Sequence, residues 1–224
     1  MKCTQSLYIL IFTILFLVGC STTTSDERNS GKDNKAAPIN IRLGAAYLER
    51  KDIARAKQKF LLALKEDPTL PEAWYSMGYF YESTGNMDQA KSFYLKAIQL
   101  APRRGDVLNN YGTYLCRNGQ YKQAIENFSL AVQDTEYLDS ASAYENAGLC
   151  AKKIPNVSLA IHYFNQALNE DPSRSSSLIE LAELHYQTKQ LKLAQAELNQ
   201  FLQVSAPTPQ SYRLEKNIEK ESYR

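Results

Sequence analysis

The sequence predicts an all-α chain, a superhelical solenoid of antiparallel helix pairs that follows a short N-terminal leader. Three observations predict it. A pattern of small and large residues recurs with a period near 34 over most of the 224 residues. The small residues of that pattern return to one face of a helix. Finally, Gly, Asn and Pro fall where helices of this length would have to end.

In chain order, the leader comes first. Lys2 supplies a positive start, and Leu7 to Val18 is an apolar run broken only by Thr13. Twelve residues at 1.5 Å each reach about 18 Å, short of the ~30 Å hydrocarbon core of a bilayer. The run therefore reads as the apolar segment of an export signal over residues 1–19. It ends in Leu17-Val18-Gly19-Cys20, which resembles the lipobox of bacterial lipoproteins. That resemblance implies cleavage before Cys20, acylation of its thiol and its amine, and a nearly permanent anchor. Ser21 follows where Asp would resemble an inner-membrane retention signal, so an outer-membrane destination facing the periplasm is expected. Residues 20–36 read as the lipidated Cys and a flexible tether. From Ser21 onward this stretch holds no large apolar side chain. Such a tether spans roughly 20–24 Å.

The repeats begin at residue 37. Gly44, Gly78, Gly112 and Gly148 are followed at helical spacing by Ala56, Ala90, Ala124 and Ala160. The large residues Phe60, Tyr94, Phe128 and Phe164 come next, then Ala63, Ala97, Ala131 and Ala167. A fifth unit keeps the scheme with Ala182, Ala194, Leu198 and Phe201. Small residues let two helices approach, and the aromatics fill the space beside them. Gly85-Asn86 and Asn118-Gly119 are helix stops. Asp52, Asn86 and Asn156 are placed to cap second helices. Pro68, Pro102 and Pro172 close three units, and Pro207 stands just past the last helix of the fifth.

These residues resemble the tetratricopeptide (TPR) pattern. Trp74, Gly78, Tyr81, Ala90, Tyr94, Ala97 and Pro102 make the second unit the fullest match. Five repeats are expected over 37–208: 37–70, 71–104, 105–138 plus two inserted residues, 141–174 and 175–208. Residues 209–224 are expected to form a capping helix, a partial sixth repeat with a polar outer face. The third unit lacks its proline, so irregular packing is expected where it meets the fourth.

Composition and motifs argue against catalysis. Lys and Arg number 26 against 24 Asp and Glu, and removing the leader takes away Lys2 alone, so no field favours nucleic acid. Only two histidines occur, His162 and His185, and both read as structural or exposed. No metal-ligand spacing, nucleophile constellation or phosphate loop is present. The expectation is no enzyme activity, no cofactor, no metal, no small-molecule substrate and no nucleic-acid partner. Of four cysteines, Cys3 leaves with the leader and Cys20 is the lipid site. Cys116 and Cys150 lie late in adjacent first helices and can meet as a disulfide, or can stay as two buried thiols.

A narrower resemblance rests on Asn109-Asn110-Tyr111-Gly112 with Tyr114-Leu115-Cys116, and on Asn146-Ala147-Gly148-Leu149-Cys150. With the lipobox and the repeats, these residues look like the type IV pilus biogenesis and stability lipoprotein family. The resemblance implies an outer-membrane pilotin whose partner is the pilus secretin. A TPR scaffold for peptidoglycan-remodelling enzymes or another envelope assembly is the alternative. The partner is expected on the concave face, where first-helix positions two, five, nine and twelve point. Those positions give Ile41 and Leu48 in the first unit, Tyr75 and Tyr79 in the second, Asn109 and Thr113 in the third and Leu149 in the fourth.

Overall fold

The computed structural model describes residues 36–223. The leader, the expected lipidation site Cys20 and the tether up to residue 35 lie outside the described residues. The described residues form five helix pairs and a closing helix: α1 (Ala36–Glu49) with α2 (Ile53–Glu66), α3 (Pro71–Ser83) with α4 (Met87–Leu100), α5 (Gly105–Arg117) with α6 (Tyr121–Ala131), α7 (Ser140–Ala151) with α8 (Val157–Glu170), α9 (Ser175–Gln187) with α10 (Leu191–Val204), then α11 (Pro209–Ser222). No strand occurs among the described residues.

The first four pairs each close on a glycine–aromatic contact. A Cβ added to Gly44 would lie 2.7 Å from the Phe60 ring, and one on Gly148 2.8 Å from Phe164. Gly78 meets Tyr94 and Gly112 meets Phe128 in the same way. The fifth pair uses Ala182 against Leu198, both fully buried. Burying one such large side chain stabilises the fold by about 1.5–3 kcal/mol, and the contact recurs along the stack.

Side chains and turns set the helix ends. The carboxylate of Asp52 accepts from the Arg55 N–H, and the Asn86 and Asn156 side chains accept from Gln89 N–H and Leu159 N–H. Asp139 caps α7 likewise through Ser142 N–H. Gly85 and Gly119 turn the chain with φ of 81° and 76°, and Lys51 and Lys189 take the same left-handed conformation at the corresponding places. In the fourth unit that place belongs to Pro155, whose ring forbids positive φ. The turn is rebuilt there: α7 stops at Ala151, and Ile154 N–H bonds back to the Ala151 carbonyl at 3.0 Å.

The junction after the third unit departs from its neighbours, as the missing proline leads one to expect. Helix α6 has 11 residues where the other second helices have 14. The freed segment folds back: Asp134 Oδ2 accepts from Gly105 N–H at 2.7 Å, and Tyr137 covers Gly105 so closely that an added Cβ would sit 2.5 Å from it. At the other end Thr208 and Ser211 form a capping box for α11. Leu214 and Ile218 of α11 pack on Leu178, Leu198 and Phe201, while Tyr212, Arg213, Lys216 and Lys220 stay outside.

Candidate partner-binding groove

First helices of successive repeats pack side by side, α1 on α3, α3 on α5 and α5 on α7. The seven expected contact residues lie along them and are treated unequally. Ile41 and Leu48 are half-buried. Ile41 packs against Ala37, Ala63 and Ala73, and Leu48 against Phe60 and Met77. Both serve to join the first two units. Tyr75 is drawn in as well: its hydroxyl donates to Asp106 Oδ2 at 3.3 Å. Asp106 is gripped by Arg104, which also pairs with Glu72. Burial, with the Asp106 and Glu72 charges adding to it, pushes the Tyr75 phenol above its ordinary range. Tyr79 differs. It is 43% exposed, and the Arg117 guanidinium lies 5.9 Å from its ring centre.

Asn109, Thr113 and Leu149 belong to one neighbourhood. Asn146 Nδ2 donates to Asn109 Oδ1 at 3.0 Å, and Thr113 Oγ1 donates to the Asn109 carbonyl at 2.9 Å. Beside them, at the C-terminal ends of α5 and α7, lies a cleft of about 430 Å³. Thr113, Asn146 and Leu149 line it together with Arg117, Lys153 and Tyr121. Cys116 forms part of its wall and is joined to Cys150, their Cα atoms 5.8 Å apart, which pins α5 to α7 at the cleft.

The cleft is lined by two cations, Arg117 and Lys153, and of the carboxylates near it only Glu82 reaches one of them. Glu145 pairs with Arg174 at 3.4 Å and accepts from Ser177 Oγ at 2.8 Å. Glu82 is nearly buried, accepting from Tyr94 Oη at 3.0 Å with Arg117 at 3.4 Å. Lys153 has no carboxylate partner among the described residues. Position counting on the first helices stops at the twelfth place, so it passes over Arg117 and Lys153, which both hold the thirteenth. A basic residue at the same place of adjacent units was the signal available. The arrangement offers amide donors and acceptors, an exposed leucine and two cations, which suits an extended peptide carrying a carboxylate. His185 stands apart from this site. It is 6% exposed, with Nδ1 2.7 Å from Glu197 Oε2.

Residues 71–104 match the tetratricopeptide repeat family, as do residues 93–126. The type IV pilus assembly protein PilF of Pseudomonas aeruginosa is 30% identical over 191 residues, spanning 84% of this chain and 75% of that protein. The chain belongs to the PilF family. The solved structure of Pseudomonas aeruginosa PilF superimposes with a TM-score of 0.76 at 27% identity, covering 85% of this chain and 86% of that one. That of PilW, a widely conserved type IV pilus biogenesis factor, gives 0.72 at 26% identity over 82% and 84%. This member of the PilF family is thus a TPR solenoid of type IV pilus biogenesis. The cleft between α5 and α7 lies within the span these proteins share.

Proposed function

We propose that the chain is an outer-membrane lipoprotein, anchored through Cys20 and facing the periplasm, that acts as a pilotin. It binds the secretin of the type IV pilus and promotes its localisation and assembly into a multimer. The observation that carries this reading is kinship with PilF along most of the chain, combined with a solenoid whose chemistry is that of peptide capture. The acyl chains supply the address and the repeats hold the cargo. Confining secretin subunits to one surface raises their effective concentration, and ring assembly follows by mass action.

Pull-down of the secretin from membrane extracts by the mature chain tests the reading. The secretin is expected in the eluate, and in its monomeric form in cells that lack this protein. Its absence from the eluate, with normal multimers in deleted cells, refutes the pilotin role. Tyr79→Ala with Leu149→Ala is expected to weaken capture at least ~10-fold, about 1.4 kcal/mol, without change in helicity. The anchor is tested separately. Cys20→Ala should leave unprocessed precursor that no longer fractionates with the outer membrane.

A further inference from the structure

In every later unit, one face of the first helix is buried against the unit before it. Ala73, Val107, Ala143 and Ser177 are all 0% exposed. One turn on, Met77, Ala147 and Leu181 are equally covered, and Phe80, Tyr114, Cys150 and Leu184 beyond them are 3% exposed or less. Their contacts identify the covering unit: Met77 and Phe80 pack on Ala56 and Phe60, and Leu181 and Leu184 on Ala160 and Phe164. The corresponding residues of α1 are Ile39, Leu43 and Ala46. Ile39 is 45% and Leu43 40% exposed, and Ala46 is exposed too. At the C-terminal end the equivalent problem is solved by α11. At the N-terminal end the stacking face is open among the described residues.

Three features point to what covers it. Residues 21–35 carry no large apolar side chain and are unsuited to the task. The patch consists of two large side chains and an alanine, far below the ~800 Å² per partner of a stable protein interface. Its surroundings are cationic: Arg50 continues the stripe of Ile39, Leu43 and Ala46 at helical spacing, and Arg42 borders it, with Glu49 the one acid at its margin. Neither arginine is drawn into an ion pair among the described residues. Residues 36–70 as a whole hold seven basic and four acidic side chains. A narrow apolar stripe flanked by arginines is the chemistry of a helix lying in a bilayer interface.

We propose that this face of α1 docks on the anionic phospholipid surface of the membrane that holds the chain. The inference rests on the lipid-anchor reading, because a tether of roughly 20–24 Å keeps α1 within reach of the bilayer. Ile39 and Leu43 enter the headgroup boundary while Arg42 and Arg50 meet phosphates. The later repeats are then stacked away from the lipid, and the cleft between α5 and α7 is held clear of it.

Sedimentation of the unlipidated chain from residue 20 onward, carrying Cys20→Ser, with vesicles tests the contact without the anchor. The chain is expected to pellet with phosphatidylethanolamine–phosphatidylglycerol vesicles, weakly with phosphatidylcholine alone, and less as salt rises. Ile39→Ser with Leu43→Ser should cut binding to the anionic vesicles roughly tenfold at unchanged melting temperature, and Arg42→Gln with Arg50→Gln should remove the preference for phosphatidylglycerol. No pelleting, or pelleting that the apolar pair does not change, overturns the proposal. A concentration-dependent dimer abolished by the apolar pair also overturns it, in favour of a second copy on this face. Loss of secretin capture by that pair with vesicle binding intact overturns it in favour of a protein. Mass spectrometry of acylated Cys20 decides the anchor independently, so the two failures are distinguishable.

Discussion

At the scale of single residues, the contact between Gly112 and Phe128 shows how little room the repeat leaves. An added Cβ would meet the ring at 2.8 Å and the Ala124 carbonyl oxygen at 3.2 Å, and the second of these is backbone and yields poorly. Gly112→Leu is therefore expected to destabilise by at least ~1–3 kcal/mol, a fall of roughly 2–12 °C in melting temperature by circular dichroism. An unchanged melting curve would show that the glycine–aromatic contact does not close the pair. Aspartates provide the pH dependence. Hydrogen bonds from Gly105 N–H and Glu136 N–H hold Asp134 below the usual aspartate range. The Ser173 hydroxyl and N–H do so for Asp171, and the Arg55 side chain and N–H for Asp52. A depressed folded pKa contributes stability that is present above the unfolded value, ~3.9, and lost as pH falls through the folded one. Melting temperature should accordingly hold above pH ~5 and drop below ~4, with a shallower drop in Asp134→Asn. Burial of Glu197 acts with opposite sign: it raises that carboxyl despite the His185 bond, so ionising it costs stability as pH rises.

At the scale of elements, the joint between α5 and α7 matters most, because α6 is short and the connection after it is irregular. The Cys116–Cys150 bridge closes 34 residues across this joint. In the chain-entropy model such a loop is worth ~3–4 kcal/mol. Reductant, or Cys116→Ser with Cys150→Ser, should lower the denaturant midpoint accordingly and loosen the cleft that Cys116 borders. Equal midpoints with and without reductant would show the bridge to be dispensable. Helix α11 acts as the stopper of the stack. Ending the chain at residue 208 would uncover Leu178, Leu198 and Phe201. The expected outcome is aggregation on size-exclusion chromatography rather than a simple fall in binding.

At the scale of the whole molecule, the repeats make a surface that no single unit has. Carboxylates along the first helices are largely neutralised by Arg104 and Arg174. Arg117, paired with the nearly buried Glu82, and Lys153 face the cleft. Partner capture there should weaken as ionic strength rises, and Lys153→Glu should reduce affinity several-fold while leaving the melting temperature near that of the parent. Isothermal titration at two salt concentrations checks both. Affinity indifferent to salt and to Lys153→Glu would place the contact on another face.

The helices, their pairing and most of their ends were legible because they are written locally and repeated. A glycine twelve places before an alanine, or an asparagine just ahead of a helix, means the same thing in each unit whatever surrounds it. The tertiary structure decided what depends on how units twist against one another. Tyr75 and Tyr79 lie one turn apart on the same helix, yet Asp106 of the next unit engages one and leaves the other exposed. Cys116 and Cys150 hold different places in their repeats, the twelfth and the tenth. Their meeting follows from the offset between α5 and α7, which no pattern within one unit encodes. Arg117 and Lys153 come together for the same reason. Spacing along a chain determines what one helix presents, and only the stacking of helices determines what two of them share.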